Sequence, residues 1–360
     1  MRFPQFHGEW EETSLSSLGD FIGGGTPSSA IINFWEGNIP WISSSDLSES
    51  NINRINVTRY ITEEAIDNSA TKICQAPTIL IVSRVGVGKV AYSKENICTS
   101  QDFTNIVNLK SDGLFLTYLL SKIMRQKARE TQGTSIKGIT SGEIKSIKIN
   151  IPQNNEQEKI ATFLSLIDER IQTQNKIIKE LESLIKGIRQ TLFKETTTWK
   201  SCKIGDILKI GSGRDYKHLE TGNIPVFGTG GYMLSVNDYL YDGESVCIGR
   251  KGTINKPLFL YGKFWTVDTL FYTYNFQRLL PRFCYYLFSS INWLQYNEAS
   301  GVPSLSKETI ENIQVHLPNM GEQEKICSIL DLINSKLETE NKTLSAYQVQ
   351  KKYILNKLFI

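Results

Sequence analysis

The sequence predicts an α+β fold: two mixed α/β domains joined by two long antiparallel coiled-coil helices, with a pseudo-twofold internal repeat. Residues 152–193 match residues 318–359 without a gap, at a constant offset of 166. Within both stretches apolar residues recur in steps of three and four, which is typical of a coiled coil. The predicted segments are a first domain at 1–151, a first long helix at 152–195, a second domain at 196–317 and a second long helix at 318–360.

Composition and charge limit the class of protein. The 360 residues suffice for two domains with sizeable cores, and 40% hydrophobic and 21% charged residues are ordinary for a globular chain. Because the net charge is only +3, a partner would have to supply much of the attraction to any nucleic acid. Six cysteines without a CxxC pair favour reduced, buried thiols over structural zinc or disulfides. With no apolar leader or membrane span, we expect a soluble cytoplasmic protein.

Each domain opens with the same series of features: a tryptophan, a Gly-Asp pair and a glycine-rich turn. They are Trp10, Leu18-Gly19-Asp20 and residues 23–27 in the first domain, and Trp199, Ile204-Gly205-Asp206 and residues 211–213 in the second. Further along, Arg84 recurs as Arg250 in a second glycine turn. The offset falls from 185 at Gly37 to 166 at Arg84, so the first domain holds about twenty extra residues between these positions. Duplicated frames therefore carry divergent contents.

Local patterns predict mixed secondary structure inside each domain. Residues 78–82 and 245–248 are typical of buried strands that lead into glycine turns. Residues 114–131 and 279–299 have the periodicity of amphipathic helices. Alternating isoleucines at 147–151 indicate a half-buried strand, repeated at 313–317, and each of these strands ends at a proline where the period changes from 2 to 3.6.

The helices that follow these prolines carry the predicted coiled-coil seam. Its apolar positions are Ile160, Leu164, Ile167, Ile171, Ile178, Leu181, Ile326, Leu330, Ile333, Leu337 and Leu344. Gln174, Glu340 and Lys351 occupy polar seam positions, which fix register at some cost in stability. Two independent long helices, each packed on its own domain, are the alternative. Mutual burial of two seams of equal length is favoured, and antiparallel pairing is preferred.

A divergent domain followed by a heptad helix that begins Pro-x-x-x-Glu-Gln-Glu-Lys-Ile, with the same pair then repeated, resembles the specificity subunit of type I restriction-modification systems. The second-domain runs 224–231, 249–252 and 268–271 add to this resemblance, which covers essentially the whole chain. It implies that each domain is a target recognition domain reading one half of a bipartite DNA site. It also implies that the paired helices set the spacing and dock two modification (methyltransferase) subunits, which two restriction subunits can join. The chain starts almost directly at its first recognition domain and lacks a long linker, which leaves the half-site spacing open.

The same resemblance implies a non-catalytic subunit of a DNA adenine methyltransferase and restriction endonuclease complex. No cofactor is then expected in this chain, since S-adenosylmethionine, and ATP and Mg²⁺ if a restriction subunit joins, would be bound by partners. The residues themselves agree: the Gly86–Lys89 turn lacks the glycine and hydroxyl positions of a P-loop, and no Asn-Pro-Pro-Tyr/Phe methyltransferase motif is present. A coiled-coil scaffold with two protein-binding domains is the alternative function, and a stand-alone methyltransferase is disfavoured by the missing motifs.

Basic residues on glycine-rich loops are the candidates for DNA contact, because arginine can bridge guanine O6 and N7 while lysine more often meets phosphate. They are Arg84, Lys89, Lys137, Arg214, Lys217, Arg250, Lys251 and Lys256. For each single residue, an exposed charge beside a turn is the favoured alternative. The equivalence of Arg84 and Arg250 suggests a shared framework or phosphate role. Loops 132–137 and 300–305 either approach DNA or shape the domain, and the aromatic residues of the second domain, among them Tyr232, Tyr239, Phe264, Trp265 and Phe271, are expected in its core.

Overall fold

The computed structural model describes residues 2–131, 138–193 and 199–359. The chain divides into two compact units: unit 1 comprises Met1–Asn175 with Thr343–Ile360, and unit 2 comprises Lys176–Lys342. Each unit thus holds one mixed domain together with part of both long helices, whereas the predicted segment limits at 151, 195 and 317 follow sequence features and stay predictions. No helix in the described part of the chain has both the length and the apolarity needed to cross a membrane.

The first half of the chain contains ten strands and four helices among its described residues. The strands are β1 (Glu11–Ser14), β2 (Asp20–Gly23), β3 (Ile39–Ile42), β4 (Arg59–Ile61), β5 (Ile73–Cys74), β6 (Thr78–Val82), β7 (Val90–Ser93), β8 (Ile97–Thr99), β9 (Phe103–Val107) and β10 (Lys148–Ile151). The helices are α1 (Glu63–Asp67), α2 (Gly113–Thr131), α3 (Ser141–Lys145) and α4 (Asn154–Leu192). Short 3-10 turns cover Leu15–Ser17, Ile32–Trp35 and Ser44–Asp46.

The second half repeats this order of elements. Its strands are β11 (Lys200–Lys203), β12 (Lys209–Ser212), β13 (Thr221–Gly228), β14 (Gly231–Val236), β15 (Tyr241–Asp242), β16 (Ser245–Gly249), β17 (Leu258–Leu260), β18 (Lys263–Thr266), β19 (Leu270–Tyr274) and β20 (Gln314–Leu317). Its helices are α5 (Ile204–Ile207), α6 (Pro281–Ser290), α7 (Lys307–Asn312) and α8 (Met320–Leu358). The helix predicted at 279–299 is therefore shorter. The chain turns after Ser290 and buries Trp293, whose indole N–H donates to the Phe288 carbonyl at 2.7 Å.

Sheet topology confirms the internal repeat. In unit 1 an antiparallel sheet has the order β2-β9-β6-β7, and a second sheet has the order β4-β3-β8-β5 with β3 parallel to β8. In unit 2 the corresponding orders are β12-β19-β16-β17 and β14-β13-β18-β15, with β13 parallel to β18. Each domain is closed by a pair of antiparallel strands next to its long helix, β1 with β10 and β11 with β20.

The two long helices pair in opposite directions. In unit 1 the start of α4, including Leu164, shares a core with the end of α8, including Leu355. In unit 2 the end of α4, represented by Ile188, packs on a core that contains Leu330 near the start of α8. Since the start of each helix contacts the end of the other, the antiparallel coiled coil predicted from the heptads is confirmed. Each helix has 39 residues and is about 58 Å long at ~1.5 Å per residue.

The predicted seam residues are all shielded from solvent to some degree. Six are buried: Ile160, Leu164, Ile167, Ile178, Ile326 and Leu330. Five are half-buried: Ile171, Leu181, Ile333, Leu337 and Leu344. By contrast, Leu166 and Leu184, which the heptads place outside the seam, are each 52% exposed.

An aromatic triad fixes each domain to a helix end. Trp10 lies 6.0 Å from Phe115 on α2 and 6.5 Å from Phe359 at the end of α8, measured between ring centroids. The equivalent triad in unit 2 joins Trp199 to Phe283 on α6 and to Phe193 at the end of α4. The tryptophan that opens each domain therefore packs against the residue that ends a long helix.

The repeated Glu-Gln-Glu-Lys-Ile run has a structural role that the repeat explains. The buried Gln157 amide donates to the Pro152 carbonyl at 2.8 Å and accepts from the backbone N–H of Asp112 at 3.0 Å. Gln323 likewise donates to the Pro318 carbonyl at 3.1 Å and accepts from the Leu280 N–H at 2.9 Å. Each glutamine thus ties the start of a long helix to the turn that begins the domain helix.

The polar seam residue Lys351 is buried in unit 1 and forms an ion pair with Asp168 on α4. Its ammonium also donates to the Ser50 carbonyl at 3.1 Å. The second oxygen of Asp168 accepts from the Tyr118 hydroxyl on α2 at 2.7 Å. Burial raises the pKa of Tyr118, and the adjacent carboxylate raises it further, so this hydroxyl stays a donor. One charged cluster therefore connects α2, α4, α8 and the loop around Ser50.

Candidate nucleic-acid interface

In unit 1 the Arg84 turn follows the fully buried strand β6. Backbone N–H groups of Ser83 and Arg84 both donate to the Asp102 carbonyl, at 2.8 and 3.2 Å, and the Ser83 carbonyl accepts from Ile139 N–H at 2.8 Å. These bonds hold the backbone in place while the Arg84 side chain is exposed. The turn then passes through two glycines with positive φ, Gly86 and Gly88, before β7 begins.

Unit 2 builds the same turn after β16. Backbone N–H groups of Arg250 and Lys251 donate to the Thr269 carbonyl at 2.8 and 3.3 Å, and the Arg250 carbonyl accepts from Leu305 N–H at 2.9 Å. Both side chains are exposed, and the Arg250 guanidinium lies 6.0 Å from the centroid of Phe271. The two turns therefore share their backbone hydrogen bonds, but the match is shifted by one residue from the sequence repeat: Arg250 takes the position of Ser83, and Lys251 takes the position of Arg84.

A second loop is clamped at equivalent points in both units. Arg214, just after β12, donates its N–H to the Thr266 carbonyl at 2.8 Å, and its carbonyl accepts from the Trp265 indole at 2.8 Å. In unit 1 the N–H of Gly25 donates to the Thr99 carbonyl at 2.8 Å, and the Gly25 carbonyl accepts from the Trp41 indole at 2.9 Å. The two units thus fix this loop in the same way, although the indoles come from different strands.

Strand order gathers the candidate basic residues at one edge of each central sheet. Because β12 and β16 both lie antiparallel to β19, their carboxyl ends flank the start of β19. Arg214 follows one of these ends and Arg250 follows the other, while Lys256 lies in the connection from β16 to β17. In unit 1 the carboxyl ends of β2 and β6 flank the start of β9 in the same manner. Arg84 and Lys89 lie in the connection from β6 to β7 at that edge.

The predicted DNA-binding residues differ in how free their side chains are. Arg84, Arg214, Lys217, Arg250, Lys251 and Lys256 are exposed. Lys89 is half-buried, and its ammonium donates to the Ser44 carbonyl at 3.1 Å. Lys137 lies outside the described residues. The assignment of these residues to DNA contact stays a prediction.

The loop before the last strand of the second domain lies beside the arginine turn. Lys251 forms an isolated bridge with Ser304, and Gly252 N–H donates to the Pro303 carbonyl at 2.8 Å. In the first domain residues 132–137 lie outside the described residues, but Ile139 N–H donates to the Ser83 carbonyl at 2.8 Å. In both domains a residue ahead of the last strand therefore bonds to the turn that carries an arginine.

Aromatic residues in the second domain divide into two groups. Phe264, Trp265 and Phe271 are buried, as the sequence predicts. Tyr232 and Tyr239 are 62% and 43% exposed, so the expectation that they lie in the core is wrong. Tyr232 lies on β14 just after the two-residue hairpin turn, and Tyr239 lies in the connection from β14 to β15.

Unit 1 contains an aromatic cleft that the sequence did not reveal. It has a volume of about 640 Å³ and is lined by Trp35, Trp41 and Arg59, with Ile32 exposed at its rim. The Arg59 guanidinium lies 4.5 Å from the Trp41 ring centroid and forms an ion pair with Asp46. Arg59 and Asp46 lie between Gly37 and Arg84, where the first domain holds about twenty extra residues, so no repeat signal marks the cleft.

A metal-dependent site has no support in the geometry. Across the described ranges, no three or more His, Cys, Asp or Glu side chains lie close enough together to hold a metal ion. His218 packs against Trp265 at 5.8 Å between ring centroids, and His316 lies on β20.

Comparison with known proteins points in one direction. The family model described as type I restriction modification DNA specificity domain matches residues 7–183 and again residues 196–346. The MjaIX specificity subunit of Methanocaldococcus jannaschii is 32% identical over 242 residues, which cover 59% of this chain and 54% of that protein. The Escherichia coli EcoR124I/EcoR124II specificity subunit is 34% identical over 171 residues, covering 45% of this chain and 41% of that protein. The chain thus spans about half the length of these relatives.

Solved structures agree in fold. The structure of the S subunit of a type I restriction-modification system from M. genitalium has a TM-score of 0.65, at 22% identity, and the match covers 98% of this chain and 96% of that one. A structure from work on complex assembly and conformational transition of the type I R-M system has a TM-score of 0.63 at 13% identity, with 98% of both chains covered. At these identities the likeness concerns the fold.

Proposed function

Because this chain belongs to the family of type I restriction-modification DNA specificity domains, we propose that each of its two domains reads one half of a bipartite DNA site. The observation that carries the proposal is the arrangement of basic side chains. In both units they follow the carboxyl ends of equivalent strands, on turns whose backbones are held by equivalent hydrogen bonds. An identical frame with different exposed side chains is what the reading of two different half-sites requires.

We assign a separate role in DNA binding to the residues that the two domains share and to those that differ between them. Arg84 and Lys251 occupy the same backbone position and are both exposed, so we assign them to phosphate contacts that orient each domain on the duplex. Residues that differ between the domains, such as Arg214 and Lys217 in the second and the Trp41 cleft in the first, supply the base discrimination. The paired helices set the spacing of the half-sites and dock two modification subunits.

Catalysis is assigned to partners. The chain acts as the non-catalytic subunit of a DNA adenine methyltransferase, and of a restriction endonuclease when two restriction subunits join. S-adenosylmethionine is bound by the modification subunits, and ATP and Mg²⁺ by the restriction subunits. The setting of such a complex is the cytoplasm, where its DNA is.

A domain exchange tests the proposal. The chain is co-expressed with its modification subunit, and methylated adenines are mapped across the host genome. We expect a bipartite motif, and replacement of residues 199–317 by those of a relative should change one half of it and leave the other half unchanged. The matched control exchanges residues 11–151 and should alter only the opposite half.

Two outcomes would refute the proposal. If the complex is intact but the genome remains unmethylated and no sequence-selective DNA binding is seen, the chain is a scaffold with two protein-binding domains. If the purified chain alone binds S-adenosylmethionine, the assignment of the methyl donor to the partner is wrong.

A further inference from the structure

A basic cleft lies in unit 1 where α2, the loop at residues 49–54, the middle of α4 and the last turns of α8 meet. Its volume is about 880 Å³. Glu49 is the one carboxylate among its lining residues, against six cations: Arg54, Lys122, Arg125, Arg129, Lys351 and Lys352. For a chain whose net charge is +3, this is a strong local concentration of positive charge.

Half of these cations are held within the fold. Lys351 is paired with Asp168, and Lys122 donates to the Phe359 carbonyl. Arg125 donates to the Glu49 carbonyl, and burial lowers the pKa of its guanidinium from a usual value so high that it stays charged. These three side chains form a fixed positive base to the cleft.

The other three cations have no internal role. Arg54, Arg129 and Lys352 are exposed, and their side chains form no hydrogen bond or ion pair with any residue in the described ranges. They come from three separate elements: a loop, the end of α2 and the last turns of α8. Three free cations above a fixed positive base favour an anionic ligand with several charges.

The cleft is continuous with the candidate DNA-reading turn. Gly88 in that turn lies against α2 so closely that an added Cβ would be 3.0 Å from Ala128 Cβ and 3.7 Å from Arg125 Cα. Lys89 bonds to Ser44, which begins the segment that leads to the cleft loop. The turn and the cleft therefore share α2 and this segment.

Three of the cleft cations have no counterpart in the duplicated frame. Tyr118 on α2 corresponds to Tyr286 on α6, an offset of 168, which places Trp293 and Asn297 at the positions of Arg125 and Arg129. On the long helices, where the offset is 166, Lys351 corresponds to Ile185, whereas Lys352 recurs as Lys186. A role shared by both halves of the chain, such as binding one modification subunit each, does not explain the three cations that are present in one half.

We infer that this basic cleft binds phosphate groups of the DNA backbone next to the half-site read by the first domain. The inference rests on the proposed function. Backbone phosphates are a regular series of negative charges, and arginine and lysine side chains on separate elements can contact successive members of that series. An acidic segment of a partner protein is the competing ligand, but it would not require continuity with the Arg84–Lys89 turn.

The test uses the full chain in complex with its modification subunit and a duplex that carries the methylated motif. Affinity is measured over about 50–200 mM salt for wild type and for the triple variant Arg54→Gln, Arg129→Gln, Lys352→Gln. Each lost phosphate contact should reduce the slope of log K against log salt by about 0.9, hence by about 2.7 for the triple variant. The methylated motif should not change, because phosphate contacts carry no sequence information directly.

A charge-matched control is available in the same unit. The variant Lys72→Gln, Lys94→Gln, Lys110→Gln removes three exposed charges outside the cleft, and its slope should equal that of wild type. The inference is overturned if the cleft variant keeps the wild-type slope, or if the control loses as much. It is also overturned if the cleft variant loses the modification subunit while its slope is unchanged, which would indicate an acidic protein ligand. Single Arg→Lys changes at residues 54 and 129 should retain the slope and show that charge is the cause.

Failure of the proposed function gives a different result. In that case wild type itself shows no bipartite methylation and no preference for the motif duplex. If wild type methylates the motif and prefers the duplex while only the slope comparison fails, the proposed function stands and the cleft has no part in it.

Discussion

Replacing Lys351 by methionine should destabilise unit 1 strongly. The side chains of Lys351 and Asp168 are 9% and 4% exposed, so the substitution leaves a buried carboxylate with the Tyr118 hydroxyl as its remaining partner. Removing one partner of a buried ion pair typically costs about 3–5 kcal/mol. For a unit of this size that corresponds to a fall in melting temperature of roughly 10 °C, measured by calorimetry on the full chain.

A double-mutant cycle separates the ion pair from simple loss of packing. With Asp168→Asn added to Lys351→Met, neither charge is buried, and most of the stability should return, with a coupling energy of at least about 2 kcal/mol. Lys352→Met is the control, because this neighbour is exposed and should change the free energy of unfolding by under about 0.5 kcal/mol. The reasoning fails if Lys351→Met melts within a degree or two of wild type, or if the cycle shows no coupling.

Two further predictions concern the long helices. Ile167→Asp should lower the free energy of unfolding in urea by about 3 kcal/mol, because it buries a charge in the seam. Leu166→Asp is the control and should be nearly neutral, because Leu166 is 52% exposed. Equal losses in the two variants would contradict the assigned seam. Gln157→Ala should lower the free energy of unfolding by about 1–3 kcal/mol, because the N–H of Asp112 is left without its acceptor. Glu158→Ala should have little effect, because Glu158 is exposed. A neutral Gln157→Ala would show that the Glu-Gln-Glu-Lys-Ile run does not tie the helix to the domain.

The sequence predicts the long helices and their pairing because a heptad pattern is a local signal. Steps of three and four place Leu164 on the apolar face of α4 and Leu330 on the apolar face of α8. Each apolar face must be buried, whatever residues the two domains contain. Duplication adds a second local signal, since the turns that carry Arg84 and Arg250 are recognisable as a repeat before any fold is known. The one-residue shift that pairs Arg84 with Lys251 depends on strand register, which the sequence does not show.

What the sequence does not predict depends on contacts between distant segments. Lys351 is recognisable as a polar seam residue. Nothing in the sequence distinguishes its partner Asp168 from the other acidic residues of α4. The cleft cations Arg54, Arg129 and Lys352 come from segments about 300 residues apart at the extremes, so no motif joins them. The exposure of Tyr232 likewise depends on which face of a hairpin the other sheet covers, which composition does not state.

In each unit a tyrosine of the domain's own helix, Tyr118 on α2 or Tyr286 on α6, forms hydrogen bonds to a long helix. The carboxylate that takes part lies at a different position in the two units. In unit 1 Asp168 bonds Tyr118, whereas in unit 2 the residue at that offset is Asn334, which donates to Tyr286 at 3.1 Å. The carboxylate of unit 2 is Asp331, one turn earlier, and Arg282 pairs with it at 2.7 Å. The frame therefore preserves a polar anchor for the tyrosine while the charges around it differ.

This difference affects which helix ends can pair. Lys351, near the end of α8, faces Asp168, while the equivalent position near the end of α4 is the buried Ile185. Were the two helix ends exchanged, Ile185 would face the Asp168 carboxylate and Lys351 would face Asn334. Each exchange leaves a buried charge without its partner, at a cost of several kcal/mol. The two helices share their heptad pattern but differ at the Lys351–Asp168 ion pair, and that difference favours the observed pairing over an exchange of ends between copies of the chain.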